Sequence, residues 1–147
     1  ALSSRRLARR LLAQGAPSLT RLQERRQQVE ITELTQRLHK TDLPVERRFL
    51  GSLLLPKLAV FHLRQHQQWI GTHHKLLDRL QRFDPAYAKA LDKAVFTDLG
   101  QHNDALPLNR LIEQTLAPVG GLSRRSPPML EPNWGRDRAQ HKPSKKL

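Results

Sequence analysis

Asp84-Pro85-Ala86-Tyr87-Ala88-Lys89-Ala90-Leu91-Asp92-Lys93-Ala94-Val95 is the stretch that decides the fold class of this chain. Asp84 is an N-cap acid, whose oxygens can accept the unpaired amides of a first helical turn. Pro85 follows at the first helical position, where no amide proton is needed and φ is already helical. Tyr87, Leu91 and Val95 then recur at i, i+4 and i+8, the stripe of a 3.6-residue helix, with none of the alternation a strand requires.

The same signals repeat on either side. Upstream, Gly71-Thr72 reads as a break and a cap, followed by an apolar stripe of Leu76, Leu77, Leu80 and Phe83. Further upstream, Thr41-Asp42-Leu43-Pro44 reads as a capping side chain and a first-turn proline. The helix it opens carries Val45, Phe49, Leu50, Leu53, Leu54, Leu58 and Phe61, apolar on nearly all sides, and should be the central helix of the core. Pro56 removes one interior hydrogen bond from it, so a kink or break is expected there. Trp69 continues the spacing from Phe61 and Gln65 and is expected in the core. Residues 18–39 place Leu19, Leu22, Val29, Ile31, Leu34 and Leu38 among Arg, Gln and Glu, a half-covered helix. Downstream, Leu108, Leu111, Ile112 and Leu116 follow Pro107 at one-sided spacing, and Pro118 should end that helix.

These signals agree on an all-α protein, a small helical bundle with a basic N-terminal helix and an extended basic C-terminal tail. The boundaries read as a basic presequence-like arm over 1–17, a helical domain over 18–117 and a tail rich in Pro, Lys and Arg over 118–147. Half of the ten prolines fall in that tail. A stretch of this composition buries too little apolar area to offset its ordering entropy, so it is expected to order only against something larger.

Charge follows the same division. Of a formal net charge of +13, residues 1–28 contribute +6, from Arg5, Arg6, Arg9, Arg10, Arg21, Arg25 and Arg26 against Glu24. Residues 118–147 contribute +5, from Arg124, Arg125, Arg136, Arg138, Lys142, Lys145 and Lys146 against Glu131 and Asp137. The 89 residues between hold 12 bases and 10 acids, a net of +2. A near-neutral middle with two cationic arms suits a protein whose ends lie on a polyanion. Those 14 basic side chains are the expected RNA contacts. Trp134 joins them, standing between Asn133 and Gly135 in the tail, either as an anchor in a partner protein's pocket or as a base-stacking ring.

Other chemistries find little support. The chain has no cysteine, which excludes a disulfide framework and thiolate metal ligands and leaves the compartment open. His62 and His66 have metal-sharing spacing, but Leu63 stands where H-E-x-x-H needs glutamate. His73 lies about 10 Å further along a continuous helix, so no metal is expected. Asp78, Asp84, Asp92 and Asp98 stand singly at caps or beside Lys and Arg, and Gly120-Gly121 lacks the strand and lysine of a phosphate loop. The chain is therefore expected not to be an enzyme and to need no cofactor. The longest apolar run, residues 53–61, is interrupted by Pro56 and Lys57 and is too short to span a membrane.

The first twelve residues, Ala1-Leu2-Ser3-Ser4-Arg5-Arg6-Leu7-Ala8-Arg9-Arg10-Leu11-Leu12, are rich in Arg, Ser and Leu, and no acid precedes Glu24. That is the composition of a mitochondrial targeting segment; a solvated basic helix or an arm that binds RNA directly is the alternative. With the helical centre and the Lys/Arg/Pro tail, the chain resembles mitochondrion-specific ribosomal proteins, a likeness of composition carried best by the arms. The resemblance implies a structural constituent of the ribosome in the mitochondrial matrix, acting in translation. Its tails would lie between ribosomal RNA and neighbouring protein subunits. Two other classes stay open: a helical accessory subunit of a mitochondrial inner-membrane complex, and a helical partner domain of a separate enzyme chain.

Overall fold

The computed structural model of the chain describes residues 4–123, with the backbone alone for 11–14. The expected RNA contacts Arg124, Arg125, Trp134, Arg136, Arg138, Lys142, Lys145 and Lys146 lie outside them. Every regular element among the described residues is helical. α1 (Ser4–Gln14) precedes the long antiparallel-length pair α2 (Arg21–Lys40) and α3 (Pro44–Gln65). A 3₁₀ turn (His73–Lys75) leads into α4 (Leu76–Phe83) and α5 (Pro85–Asp92). The chain then passes without interruption through a π-helical segment (Lys93–Leu99) into α6 (Gly100–His102). α7 (Leu106–Leu116) and a 3₁₀ turn (Ala117–Val119) complete the described elements.

α3 is the central element. Leu50, Leu54, Leu58 and Phe61 are buried along it at helical spacing, with Ala59 and Leu63. Ile31 and Leu38 of α2, Leu80 of α4, Leu91, Val95 and Leu99 of the α5–π run, and Leu108, Ile112 and Leu116 of α7 close around it. Each fully buried leucine or phenylalanine contributes about 1.5–3 kcal/mol relative to exposure. α3 packs against the π segment at Gly51. A Cβ there would lie 2.6 Å from Leu99 Cδ2, so only a residue without a side chain lets the two approach.

Several sequence expectations are corrected. Of the kink or break expected at Pro56, the break does not occur, since α3 continues as one helix past it. Packing against α2 and against the π segment holds the helix through a proline that, by its missing amide and its ring clash together, costs about 3 kcal/mol in a free helix. Its first turns are not buried all round: Val45 and Phe49 are 64% and 62% exposed. Its N-cap is Leu43 without a side-chain bond, while Thr41 accepts from the Leu43 amide and donates to Glu46. α2 begins later than expected, in a capping box between Thr20 and Gln23, and leaves Leu22 at the surface. On α4, Leu76 and Leu80 are buried, but Leu77 and Phe83 reach the surface. Trp69 is not part of a continuing helix. Gln67 takes a left-handed φ of 57° just past the end of α3, and the indole sits half-buried in the loop that follows.

Candidate nucleic-acid interface

Arg5, Arg6, Arg9 and Arg10 are all exposed on α1, and Arg21, Arg25 and Arg26 are exposed on the first two turns of α2. Spacings of four residues (5/9, 6/10, 21/25) repeat guanidinium groups along a face, the arrangement that follows a phosphate backbone. Between the helices the chain is fixed rather than free. The Ala16 amide donates to Gln67 O at 2.8 Å, and Ala16 is 3% exposed. Arg64 Nη2 donates to Pro17 O at 3.0 Å, and Gln67 Nε2 to Ser18 Oγ at 2.7 Å. Gly15 permits this seat: its φ is +76°, and a Cβ would stand 2.8 Å from Gln67 O.

The other end of the bundle is pinned to the same helix that carries Arg21, Arg25 and Arg26. Buried Gln28 donates through Nε2 to Gly121 O at 2.7 Å and to Val119 O at 3.3 Å. Thr32 Oγ1 accepts from the Ser123 amide at 2.8 Å and donates to Gln28 O. Ala16 and Ser123, on either side of residues 18–117, are both buried. The chain thus enters the tail from a point on α2 less than two turns beyond Arg26. Sequence spacing could not show this, because Gln28 and its acceptors are more than 90 residues apart.

A second cluster joins α3 to the α4–α5 junction. Asp84 caps α5 through Oδ1, which accepts from the Tyr87 amide at 3.1 Å, while Oδ2 lies 3.0 Å from His62 Nε2. The His62 ring stacks on Tyr87 with centroids 3.8 Å apart and planes at 4°. Burial holds the His62 pKa below its usual range despite the opposing hydrogen bond to Asp84, so the neutral ring donates Nε2–H to the carboxylate. The Tyr87 amide bond holds the Asp84 carboxyl below its usual range. Burial pushes the Tyr87 phenol up to about 12. Thr115 donates to Leu111 O, which leaves Tyr87 to donate to Thr115 at 2.7 Å. His66 meets Phe83 at a tilt of 50°, centroids 5.3 Å apart, and donates Nδ1–H to His62 O at 2.8 Å, so the two histidines do not face one point in space. Among the described residues no three His, Asp or Glu side chains converge as a metal site would need. Among them, too, no helix is long and apolar enough to cross a membrane.

Comparison with protein-family models, with curated proteins and with solved structures returns no match to this chain. What defines it is therefore its own geometry, a small all-α bundle with an arginine-faced helix on one side of a fixed joint.

Proposed function

We propose that this chain is a structural, RNA-contacting subunit of a large ribonucleoprotein assembly, the mitochondrial ribosome, working in the mitochondrial matrix. Ribosomal RNA is then the partner of both arms, and neighbouring protein subunits pack on the bundle. The observation that carries the reading is the set of seven exposed arginines on α1 and the start of α2, in a segment of 28 residues with a single acid. Arginine suits the task because its planar fork bonds phosphate bidentately and stacks on bases. A fixed joint at Ala16 supports the reading as well, since an arm that leaves a rigid body at a set point loses less entropy on binding.

The test is binding of the full chain to single-stranded RNA across a range of salt. If six to ten of the 14 arm bases touch phosphate, log K against log salt falls with a slope of about −4 to −7, and removal of 118–147 flattens it. Binding that ignores salt, or survives loss of both arms, overturns the reading in favour of the accessory-subunit class. A reporter fused to residues 1–28 tests the compartment, and a diffuse cytosolic signal would remove the mitochondrial part of the proposal.

A further inference from the structure

The near-neutral bundle carries a cationic cleft of its own. It lies between the end of α3, the loop at Gln68 and Trp69, and α4, with a volume of about 720 Å³. That is in the range of small-ligand sites, roughly 300–1,000 Å³. Lys75, Arg79 and Arg82 line it at i, i+4 and i+7, on one face of the α4 region, while Leu76 and Leu80 turn the adjoining face into the core. Asp78 is the acid among them and is engaged by Arg82, Nε to Oδ2 at 3.2 Å. Among the described residues no acid lies within ion-pair reach of Lys75 or Arg79.

Two features show that the cleft is built rather than incidental. Gly71 holds a φ of +68°, and a Cβ there would stand 2.6 Å from Arg79 Nε, so the guanidinium lies across bare backbone and is held half-buried. Trp69 forms part of the wall, and its Nε1–H is enclosed without an acceptor. It is the only donor among the enclosed, unpartnered side-chain atoms of the described residues. A half-buried indole beside two cations that have no ion-pair partner among the described residues is the pairing that takes an unstacked base and its phosphate.

We propose that this cleft binds one nucleotide of a single-stranded RNA segment, the base against Trp69 and the phosphate between Lys75 and Arg79. The inference rests on the RNA reading above and adds a contact that the arms do not supply. Duplex RNA is disfavoured because its bases stay stacked within the helix.

The experiment uses the full chain carrying Trp134→Phe, so that Trp69 is the one indole reporting. Titration with a 12-nucleotide oligouridylate should quench Trp69 emission, and a duplex of equal length should not. Lys75→Glu, at an exposed position, should abolish the quenching, leave the helical circular dichroism unchanged and lower affinity. The pair Lys75→Ala with Arg79→Ala, which frees the one phosphate, should reduce the salt slope by about 0.7. Trp69→Ala should weaken binding by roughly 5- to 150-fold, with Trp69→Phe restoring most of it. RNA binding with unquenched Trp69 and no response to Lys75→Glu overturns the cleft while the arms' role stands. Equal quenching by the duplex overturns the single-strand assignment. Absence of any RNA binding removes the functional reading and the cleft together.

Discussion

His62 Nε2 lies 3.0 Å from Asp84 Oδ2, and the same carboxylate caps α5, so one side chain both starts a helix and ties it to α3. A helix start, a helix joint and a buried ring thus depend on the same two protonation states.

Stability should consequently fall on acidification. The folded site keeps the His62 pKa below the ordinary 6.5, so below about pH 6.5 the unfolded chain takes up a proton that the folded ring resists. Stability drops as pH falls from there to the folded pKa. The Asp84 pKa lies below 3.8, so its contribution is intact above that value and is lost as pH falls through the folded pKa. Tyr87 adds an alkaline limb: its folded pKa of about 12 against 10 makes stability decline as pH rises above 10. Urea titrations across pH check all three, and His62→Gln should flatten the first decline.

Leu80 is 1% exposed in the middle of the core cluster. Truncation to alanine should cost about 2–5 kcal/mol, read as a fall in urea midpoint at constant slope. An unchanged midpoint would mean that α4 does not seat where it is described.

Gly51→Ala should destabilise, although alanine is the better helix former by about 1 kcal/mol. The added methyl meets Leu99, which is itself 1% exposed and cannot swing clear, and overpacking of this kind costs about 1–3 kcal/mol. Leu99→Ala alone should also destabilise, and in the double variant the two costs should sum to less than their parts, the signature of a shared contact.

A chain cut to residues 16–123 should fold cooperatively, because it keeps the Ala16 joint and the Gln28 and Thr32 clasp. A chain cut to 44–116 should not, since it discards Ile31 and Leu38, both buried against α3. Circular dichroism melts of the two fragments decide this.

The helices of the centre were legible because their signals are local. Asp84-Pro85 sets its own cap, and Leu108, Leu111, Ile112 and Leu116 are all buried on one face, as their spacing predicts. Legibility ended where partners are distant in sequence. Gln28, Thr32 and Thr35 are buried on α2, yet a reading of apolar stripes passes over them and favours Leu22, which is exposed. Their value comes from carbonyls and amides brought in from residues 119–123, or from the turn before them. The arginines of α1 and α2 could be named from charge alone. By contrast, the Lys75/Arg79 cleft was hidden by the near balance of charges over residues 29–117, since a net sum carries no information on which face holds which sign.

The wide turn over Lys93–Leu99 has a consequence for how this chain tolerates change in length. Its i→i+5 bonding takes in one residue more per turn than an α-helix, and in an α-helix one residue is about 100° of rotation. Deleting a single residue there could restore a regular helix at little local cost. It would also swing Asn103 around the axis, away from Arg47, whose Nε now donates to Asn103 Oδ1 at 2.7 Å. The direction in which the chain sets off toward α7 is therefore encoded as a count of residues, and no substitution that preserves length can stand in for it.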